Sequence, residues 1–204
     1  MRALLLATAV LLAAPLVPEA AAQTSFGLKG GLNTSFFGGD DAGDSEPRLG
    51  FVGGAVLRSQ VNPGFALQAE VLYSQKGDVL NRSQAAGGDI TTELDYIEIP
   101  VMARVSAPLG LYAEGGVSLG GYVGLPVRAE VVDEVGFLDE IDARTDYGLL
   151  LGVDAGSGPY YVEGRYALGL AKPIEFDSVL GTDPDLTNQT VSVTFGVRFG
   201  GSRY

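Results

Sequence analysis

The sequence predicts an all-β protein: an eight-stranded antiparallel up-and-down transmembrane β-barrel that follows a cleaved signal peptide. Three observations lead to this prediction. Apolar and polar residues alternate in eight segments, short turns and long loops alternate between the segments, and the charged residues of the segments fall on one face. Successive side chains of a strand point to opposite faces, so each segment is expected to form a ribbon with one apolar and one polar surface.

The start of the chain has the organisation of a signal peptide. A short positive segment precedes an apolar run over residues 3–17, and three alanines at 20–22 supply the small residues of a cleavage site. The alternative, an uncleaved membrane anchor, requires about 20 apolar residues. We therefore expect a signal peptide at 1–22 and an outer-membrane barrel domain at 23–204.

Composition excludes several functional classes. The chain has 204 residues, a formal net charge of −12, and neither cysteine nor histidine. The phosphates of a nucleic acid would repel such a chain, so no nucleic-acid partner is expected. Without thiols and imidazoles, disulfides, the usual nucleophile–base pairs and His-based metal sites cannot form. We expect no cofactor.

The last predicted strand shows the alternation most clearly. Between residues 191 and 199 the odd positions are valine or phenylalanine, and the even positions are serine, threonine, glycine or arginine. Seven earlier segments have the same period, with Val52, Val56 and Leu150 as exceptions on the polar side. In chain order, the predicted strands are 25–33, 48–58, 65–75, 96–105, 111–123, 146–155, 160–170 and 187–199.

The connections between the strands alternate in length. Those after the second, fourth and sixth strands are turns near 61–64, 106–109 and 156–159. Those after the other strands are long loops, at about 37–47, 78–89, 124–143 and 172–186. Short turns on one rim and long loops on the other are typical of bacterial outer-membrane barrels, in which the long loops face outward.

The charged residues of the eight segments occupy the polar faces, and their signs nearly cancel. Such a balance suits a narrow lumen in which charges pair, because an unpaired buried charge is costly. We therefore predict a luminal charge network. Its members are Lys29, Arg48, Arg58, Arg104, Arg165, Arg198, Glu70, Glu98, Glu114, Asp154 and Glu163.

Alternation alone leaves a soluble barrel open, which would bury the apolar faces and turn the charges to water. The balanced charges favour the membrane interpretation, as do glycines on the polar faces that make room for arginines. Tyrosines at the strand ends also suit an aromatic girdle at the membrane interfaces. These tyrosines are Tyr73, Tyr96, Tyr147, Tyr160 and Tyr166.

Three stretches of the chain carry short sequence motifs. Residues 94–101 are LDYIEIPV, residues 70–77 are EVLYSQKG, and residues 27–33 are GLKGGLN. The first resembles the tyrosine–hydrophobic–Glu-Ile-Pro signature of the PorT-like outer-membrane barrels, and the other two are similar to a preceding strand and the start of that family. The resemblance implies an eight-stranded barrel of the small OmpA/OmpX type and no shared catalytic residues. The chain departs from the family where four residues separate Phe199 from the final Tyr204.

The predicted function is non-enzymatic: a membrane scaffold that presents acidic extracellular loops for adhesion, surface interaction or envelope integrity. Side chains fill an eight-stranded barrel, so free diffusion of solutes is not expected. Three alternatives stay open: a narrow pore, a soluble periplasmic barrel that binds an apolar ligand, and an envelope enzyme that uses luminal carboxylates as a general acid. The expected partners are outer-membrane lipid and, during insertion, the barrel-assembly machinery, and the expected state is a monomer.

The predicted outer loops hold most of the remaining acidic residues. Oxygen-rich loops can bind Ca²⁺, and the segment 40–46 is the best candidate, although its spacing differs from that of an EF-hand loop. The alternative is an acidic rim that is simply solvated. The candidate ligands are Asp40, Asp41, Asp44 and Glu46.

Overall fold

Strands make up nearly all of the structure. The computed structural model describes residues 23–38, 45–80, 90–133, 138–140, 144–171 and 187–200, and the signal peptide predicted for 1–22 lies outside this set. In these ranges no helix is long and apolar enough to cross a membrane. The strands are β1 Gln23–Gly38, β2 Ser45–Asn62, β3 Phe65–Leu80, β4 Ile90–Pro108, β5 Ala113–Asp133, β6 Leu138–Glu140, β7 Asp146–Ser157, β8 Tyr160–Gly169 and β9 Thr187–Gly200.

Eight of these strands form a closed antiparallel ring. The order is β4-β3-β2-β1-β9-β8-β7-β5, and the ring closes because β5 also pairs with β4. The short strand β6 pairs with β5 beyond β7 and lies outside the ring. Closure satisfies the backbone groups of every barrel strand, which a hydrocarbon environment demands. The prediction of an eight-stranded antiparallel barrel is confirmed.

The strands extend further toward the long loops than predicted. β4 begins at Ile90 rather than at 96, and β5 continues to Asp133 rather than to 123. The two extensions pair with each other from Ile90↔Asp133 downward. At the opposite rim β5 begins at Ala113, two residues later than predicted, because a turn occupies residues 110–112.

A bulge lies in the extended pair β4–β5. The partner of Asp95 is Arg128, whereas the partner of the next residue, Tyr96, is Pro126, so one residue of β5 is skipped. Proline has no backbone N–H to donate to the ladder and is therefore found at bulges and edges. The bulge explains how a strand continues through a segment whose glycine and proline content predicted a loop.

The apolar face of each strand points away from the barrel axis. Along β7, buried and exposed residues alternate from Asp146 to Val153. On β9, Val193 and Phe195 are 58% and 56% exposed, whereas Arg165 on the neighbouring β8 is 7% exposed. A soluble barrel would show the reverse, so that alternative is wrong. The outer surface is an apolar band suited to lipid.

The tyrosines divide between the two faces. Tyr147, Tyr160 and Tyr166 point outward and are exposed, as an interfacial girdle requires. Tyr73 is half-buried, and its hydroxyl donates a 2.7 Å hydrogen bond to Asp95 Oδ2. Tyr96, in contrast, is fully buried inside the ring, so its assignment to the girdle was wrong. Tyr96 lies two residues before Glu98 and shares its inward face, because side chains of a strand repeat with a period of two.

Candidate functional site

The centre of the lumen holds two cations and two anions in mutual contact, which we call the central cluster: Lys29, Glu70, Glu163 and Arg165. Arg165 donates from its two terminal nitrogens to the two oxygens of Glu70, at 2.9 and 2.8 Å. Lys29 Nζ lies 2.9 Å from Glu70 Oε2 and 3.3 Å from Glu163 Oε1. Arg165 also forms an ion pair with Glu163. The cluster is electrically neutral, and every side chain in it is buried.

A buried glutamine connects this cluster to the end of the lumen that carries the short turns. Gln68 Nε2 donates a 2.5 Å hydrogen bond to Glu70 Oε1, and Gln68 Oε1 accepts a 2.7 Å bond from Arg58 Nε. Gln68 and Glu70 are two residues apart on β3, so both side chains point inward. The glutamine thus provides one donor and one acceptor between an anion and a cation.

The lower cluster lies at the short-turn end and comprises Arg58, Arg104, Glu114, Asp154 and Arg198. Arg104 binds Asp154 through two hydrogen bonds of 2.6 Å and lies 2.8 Å from Glu114 Oε1. Arg58 NH2 is 3.9 Å from Asp154 Oδ1, at the outer limit of an ion pair. The guanidinium groups of Arg58 and Arg198 lie 5.8 and 5.2 Å from the centre of the Tyr161 ring.

The upper cluster lies at the long-loop end and comprises Lys76, Glu98, Asp146, Tyr96 and Tyr122. Lys76 Nζ is 2.5 Å from Glu98 Oε1 and 3.1 Å from Asp146 Oδ2. It also lies 4.5 Å from the centre of the Tyr122 ring and 5.6 Å from that of Tyr96. The Tyr122 hydroxyl donates to Asp146 at 2.9 Å. A fully buried ammonium is therefore enclosed by two carboxylates and two aromatic rings.

The predicted network residues all lie on the inward side of the ring, but at different depths. Glu98, Glu163 and the central and lower arginines Arg58, Arg104 and Arg165 are buried. Arg198 and Asp154 are both half-buried. At the short-turn rim, 44% of the Glu114 side chain is exposed. Arg48 lies at the opposite rim, where it pairs with Glu93 at 2.9 Å.

Sequence reasoning missed several members of the interior. Lys76 follows the polar positions of β3 beyond the predicted end of that strand, and Asp146 lies at the first position of β7 on its polar face. A longer β3, continued in register from Glu70, would have found Lys76. The neutral members Gln68, Tyr122 and Tyr161 give no charge signal, although their even or odd position on the strand places them inward.

Two cavities of the described lumen differ greatly in size. The gap among the central and upper clusters measures about 20 Å³, which is room for about one water molecule. At the short-turn end, in contrast, a cavity of about 890 Å³ opens to solvent. We call this cavity the vestibule; its lining includes Ser25, Arg58, Glu114 and Arg198.

The luminal carboxylates that the sequence offered as general acids each lie beside a cation, and those of the central and lower clusters are described above. Glu98 contacts Lys76, and Glu114 contacts Arg104. Carboxylates held in this way act as acceptors for buried cations and stabilise the barrel electrostatically.

The predicted calcium loop falls mostly outside the described residues. Asp40, Asp41 and Asp44 lie in the undescribed segment 39–44, and of Glu46 the backbone in β2 alone is described. Within the described ranges no group of three or more acidic side chains is arranged to hold a metal ion. Calcium binding by this loop stays a prediction, which calcium titration of the protein and of its Asp40→Asn/Asp44→Asn variant would test.

The closed ring, its outward apolar band and its charged interior define the class: a small β-barrel of the outer membrane. The chain belongs to the family described as outer membrane protein beta-barrel domain, which matches residues 21–175. The protein is therefore located in the outer membrane. Barrels of this membrane usually have their short turns on the periplasmic side. No curated protein matches the chain.

The chain is similar to several solved structures of outer-membrane proteins. Neisserial surface protein A is 13% identical with a TM-score of 0.53, and the match covers 85% of this chain and 97% of that one. Ail of Yersinia pestis, the attachment invasion locus protein, is 16% identical with a TM-score of 0.48 over 87% and 99%. OprG of Pseudomonas aeruginosa is 12% identical with a TM-score of 0.49 over 89% and 98%. At these identities the likeness concerns the fold alone.

Proposed function

We propose that the protein is a non-enzymatic scaffold of the outer membrane, closed to solutes, whose acidic loops face the cell exterior for adhesion, surface interaction or envelope integrity. The observation that carries this proposal is the central cluster. Its Glu70–Arg165 pair joins β3 to β8, which lie on opposite sides of the ring. The pair therefore crosses the lumen rather than lining it.

A hydrated ion would have to break this cluster in order to pass. The remaining gap of about 20 Å³ admits about one water molecule, far less than an ion with its hydration shell. Separating a buried ion pair leaves two uncompensated charges, at about 3–5 kcal/mol for each such break. The narrow-pore alternative is therefore disfavoured by the same contacts that support the scaffold.

The charge distribution supports a role for the loops. The named charges inside the ring nearly balance, whereas the chain as a whole carries −12. The excess acid lies largely in the loops between the strands, which also contain the calcium candidates. A surface of this kind attracts basic partners and repels anionic ones.

Two sequence motifs and the closed ring support proposals about the family lineage and the oligomeric state of the protein. The motifs at 70–77 and 94–101 support placement near the PorT-like barrels within the wider family. A ring without open strand edges and with an apolar band supports a monomer surrounded by lipid. We propose that the barrel-assembly machinery inserts it, as for other barrels of this membrane.

Ion conductance in planar lipid bilayers tests whether the barrel is closed. The wild-type protein should give no discrete current steps. The Glu70→Ala/Arg165→Ala variant removes an oppositely charged pair and keeps the Lys29–Glu163 contact, so it should fold and conduct. Heat-modifiability on a gel verifies folding of both proteins. Current steps from the wild-type protein equal to those of the variant would contradict the closed scaffold.

The role of the loops needs a separate experiment. Replacing Asp40, Asp41 and Asp44 with asparagine should leave the heat-modifiable band unchanged, because the described strands β1 and β2 end and begin on either side of this segment of the sequence. Attachment of cells that display the variant to an amine-coated surface should fall relative to cells with the wild-type protein. Equal attachment would argue against presentation of an acidic surface by this loop.

A further inference from the structure

The vestibule is a deep pocket at the periplasmic end that the scaffold role does not use. It measures about 890 Å³ and is bounded by the three short turns of the barrel. Arg58, four residues before the end of β2, lies toward its inner end, and Glu114, at the start of β5, lies near its mouth. Arg198 of β9 also lines it.

Positive charge at the vestibule exceeds what its carboxylates neutralise. The lower cluster contains three arginines and two acids, and Arg104 engages both acids, Asp154 and Glu114. Arg198 forms no ion pair with the described residues, and the two terminal nitrogens of Arg58 donate no hydrogen bond to them. Arg58 is 3% exposed. Arg58 keeps its Nε hydrogen bond to Gln68 and the distant contact with Asp154, but its buried terminal nitrogens make no hydrogen bond. Such nitrogens are unfavourable, so an anion nearby would stabilise this end of the barrel.

Arg58 and Arg198 share one aromatic neighbour. Their guanidinium groups lie 5.8 and 5.2 Å from the centre of the Tyr161 ring. Arg198 is half-buried and can meet a ligand from the vestibule directly. Arg58 also lines the vestibule, is almost fully buried, and adds positive charge. Guanidinium groups bind carboxylate and phosphate oxygens through paired hydrogen bonds.

The outer part of the vestibule is apolar. The turn between β4 and β5 contributes Leu111 and Tyr112, which are 92% and 84% exposed, and Pro63 and Pro159 come from the other two turns. An apolar body attached to the anionic group would contact this wall. Exposed apolar side chains of this size favour contact with another apolar group.

We propose that the periplasmic vestibule is a binding site for an oxyanion group, a carboxylate or a phosphate, that Arg198 contacts and Arg58 supports. The site goes beyond the scaffold function, since it lies at the opposite end of the barrel from the loops. It gives the protein a ligand-dependent surface toward the periplasm.

Binding is measured by amide NMR shifts of the full mature chain in maltoside micelles, which carry no charge. The probes are inorganic phosphate and butyrate at low ionic strength. At least one probe should give saturable shifts at Ser25, Gly156 and Gly200, and Arg198→Gln should weaken that binding by about tenfold or more. Arg128→Gln, which removes an exposed arginine at the opposite rim, is the matched control and should leave the affinity unchanged.

The two probes distinguish the source of the oxyanion. Saturation by phosphate alone assigns a phosphate site, and saturation by butyrate alone assigns a carboxylate site. Acetate serves as a comparison for butyrate, and weaker binding of acetate shows that the apolar wall contributes. Arg198→Lys keeps the charge and should retain part of the affinity, which separates ligand binding from any effect on folding. The proposal is overturned if neither probe saturates, or if Arg198→Gln binds as the wild-type protein does.

Discussion

Arg165 and Glu70 bind each other across the barrel interior through two parallel hydrogen bonds of 2.9 and 2.8 Å. Four steps around the ring separate their strands, β8 and β3, so the pair connects opposite walls. Paired hydrogen bonds between a guanidinium and a carboxylate are strong and fix the orientation of both groups. The contact therefore crosses the lumen and also constrains the shape of the ring.

Glu70→Gln should strongly destabilise the barrel. The substitution removes the shared anion of Lys29 and Arg165 and leaves Glu163 to compensate both cations. Loss of one partner from a buried ion pair lowers the free energy of unfolding by about 3–5 kcal/mol. Urea titration in lipid vesicles, with the heat-modifiable gel band as readout, measures this loss.

A half-buried pair provides the control for this prediction. Glu93→Gln removes the partner of Arg48 at the long-loop rim, where 27% of the Glu93 side chain is exposed. Exposed ion pairs contribute about 1 kcal/mol or less. If Glu70→Gln and Glu93→Gln lower the free energy of unfolding equally, the buried central cluster contributes no more to stability than a half-buried ion pair.

Gly196→Ala should destabilise the barrel by pushing on Tyr161. A Cβ atom at Gly196 would overlap the hydroxyl end of the Tyr161 ring. The guanidinium groups of Arg58 and Arg198 lie over this ring, so a shift of Tyr161 would disturb both. Overpacking of this kind costs about 1–3 kcal/mol. At Gly164 the nearest atom to an added Cβ is Val153 Cγ2 at 3.8 Å, so Gly164→Ala should be neutral or stabilising in the same titration.

Leu151→Arg tests the direction of the outer face. Leu151 lies near the middle of β7 and is 51% exposed on the apolar band. An arginine facing lipid near the bilayer midplane lowers the free energy of unfolding by about 2–4 kcal/mol, and one near the interface by about 0–1 kcal/mol. Leu109→Arg, on a periplasmic turn, is the matched substitution. If Leu109→Arg lowered the free energy of unfolding as much as Leu151→Arg does, the surface around Leu151 would not be the part of the barrel that contacts lipid.

Tyr73→Phe tests the hydrogen bond to Asp95 on the outward side of the barrel. Asp95 is 3% exposed, and Tyr73 is the donor to its Oδ2 atom. Leaving a buried acceptor without its partner costs about 1–3 kcal/mol. Tyr147→Phe, at a tyrosine that is 51% exposed, should change stability by less than about 0.5 kcal/mol. Equal effects of the two substitutions would show that the bond contributes nothing.

The period of the strands determined how much of this structure could be predicted. The alternation of apolar and polar residues correctly predicted that Val193 points outward and Arg198 inward, because successive side chains of a strand point to opposite faces. The ion-pair partner of each charged residue could not be predicted from the sequence. Glu70 and Arg165 are 95 positions apart, and their contact depends on the stagger of the strands around the whole ring.

The errors at single residues have specific physical causes. Tyr96 was assigned to the girdle because it is aromatic and near a predicted strand end, although its position two residues before Glu98 places it inside, against Lys76. The extension of β5 past residue 123 was missed because Gly124 and Pro126 interrupt the pattern, and the bulge that admits them depends on β4. Monomeric state and loop partners stay predictions.

The strands of the ring reach unequal heights above the outer leaflet. β7 ends its pairing with β5 at Gly124, and residues 125–133 of β5 continue beside β4 without it. At about 3.3 Å per residue and the usual tilt, that part of the sheet stands roughly 20 Å above the neighbouring wall. A molecule that approaches the lipid surface from the β4 side therefore first meets a standing β-sheet, which the described ends of β4 and β5 form.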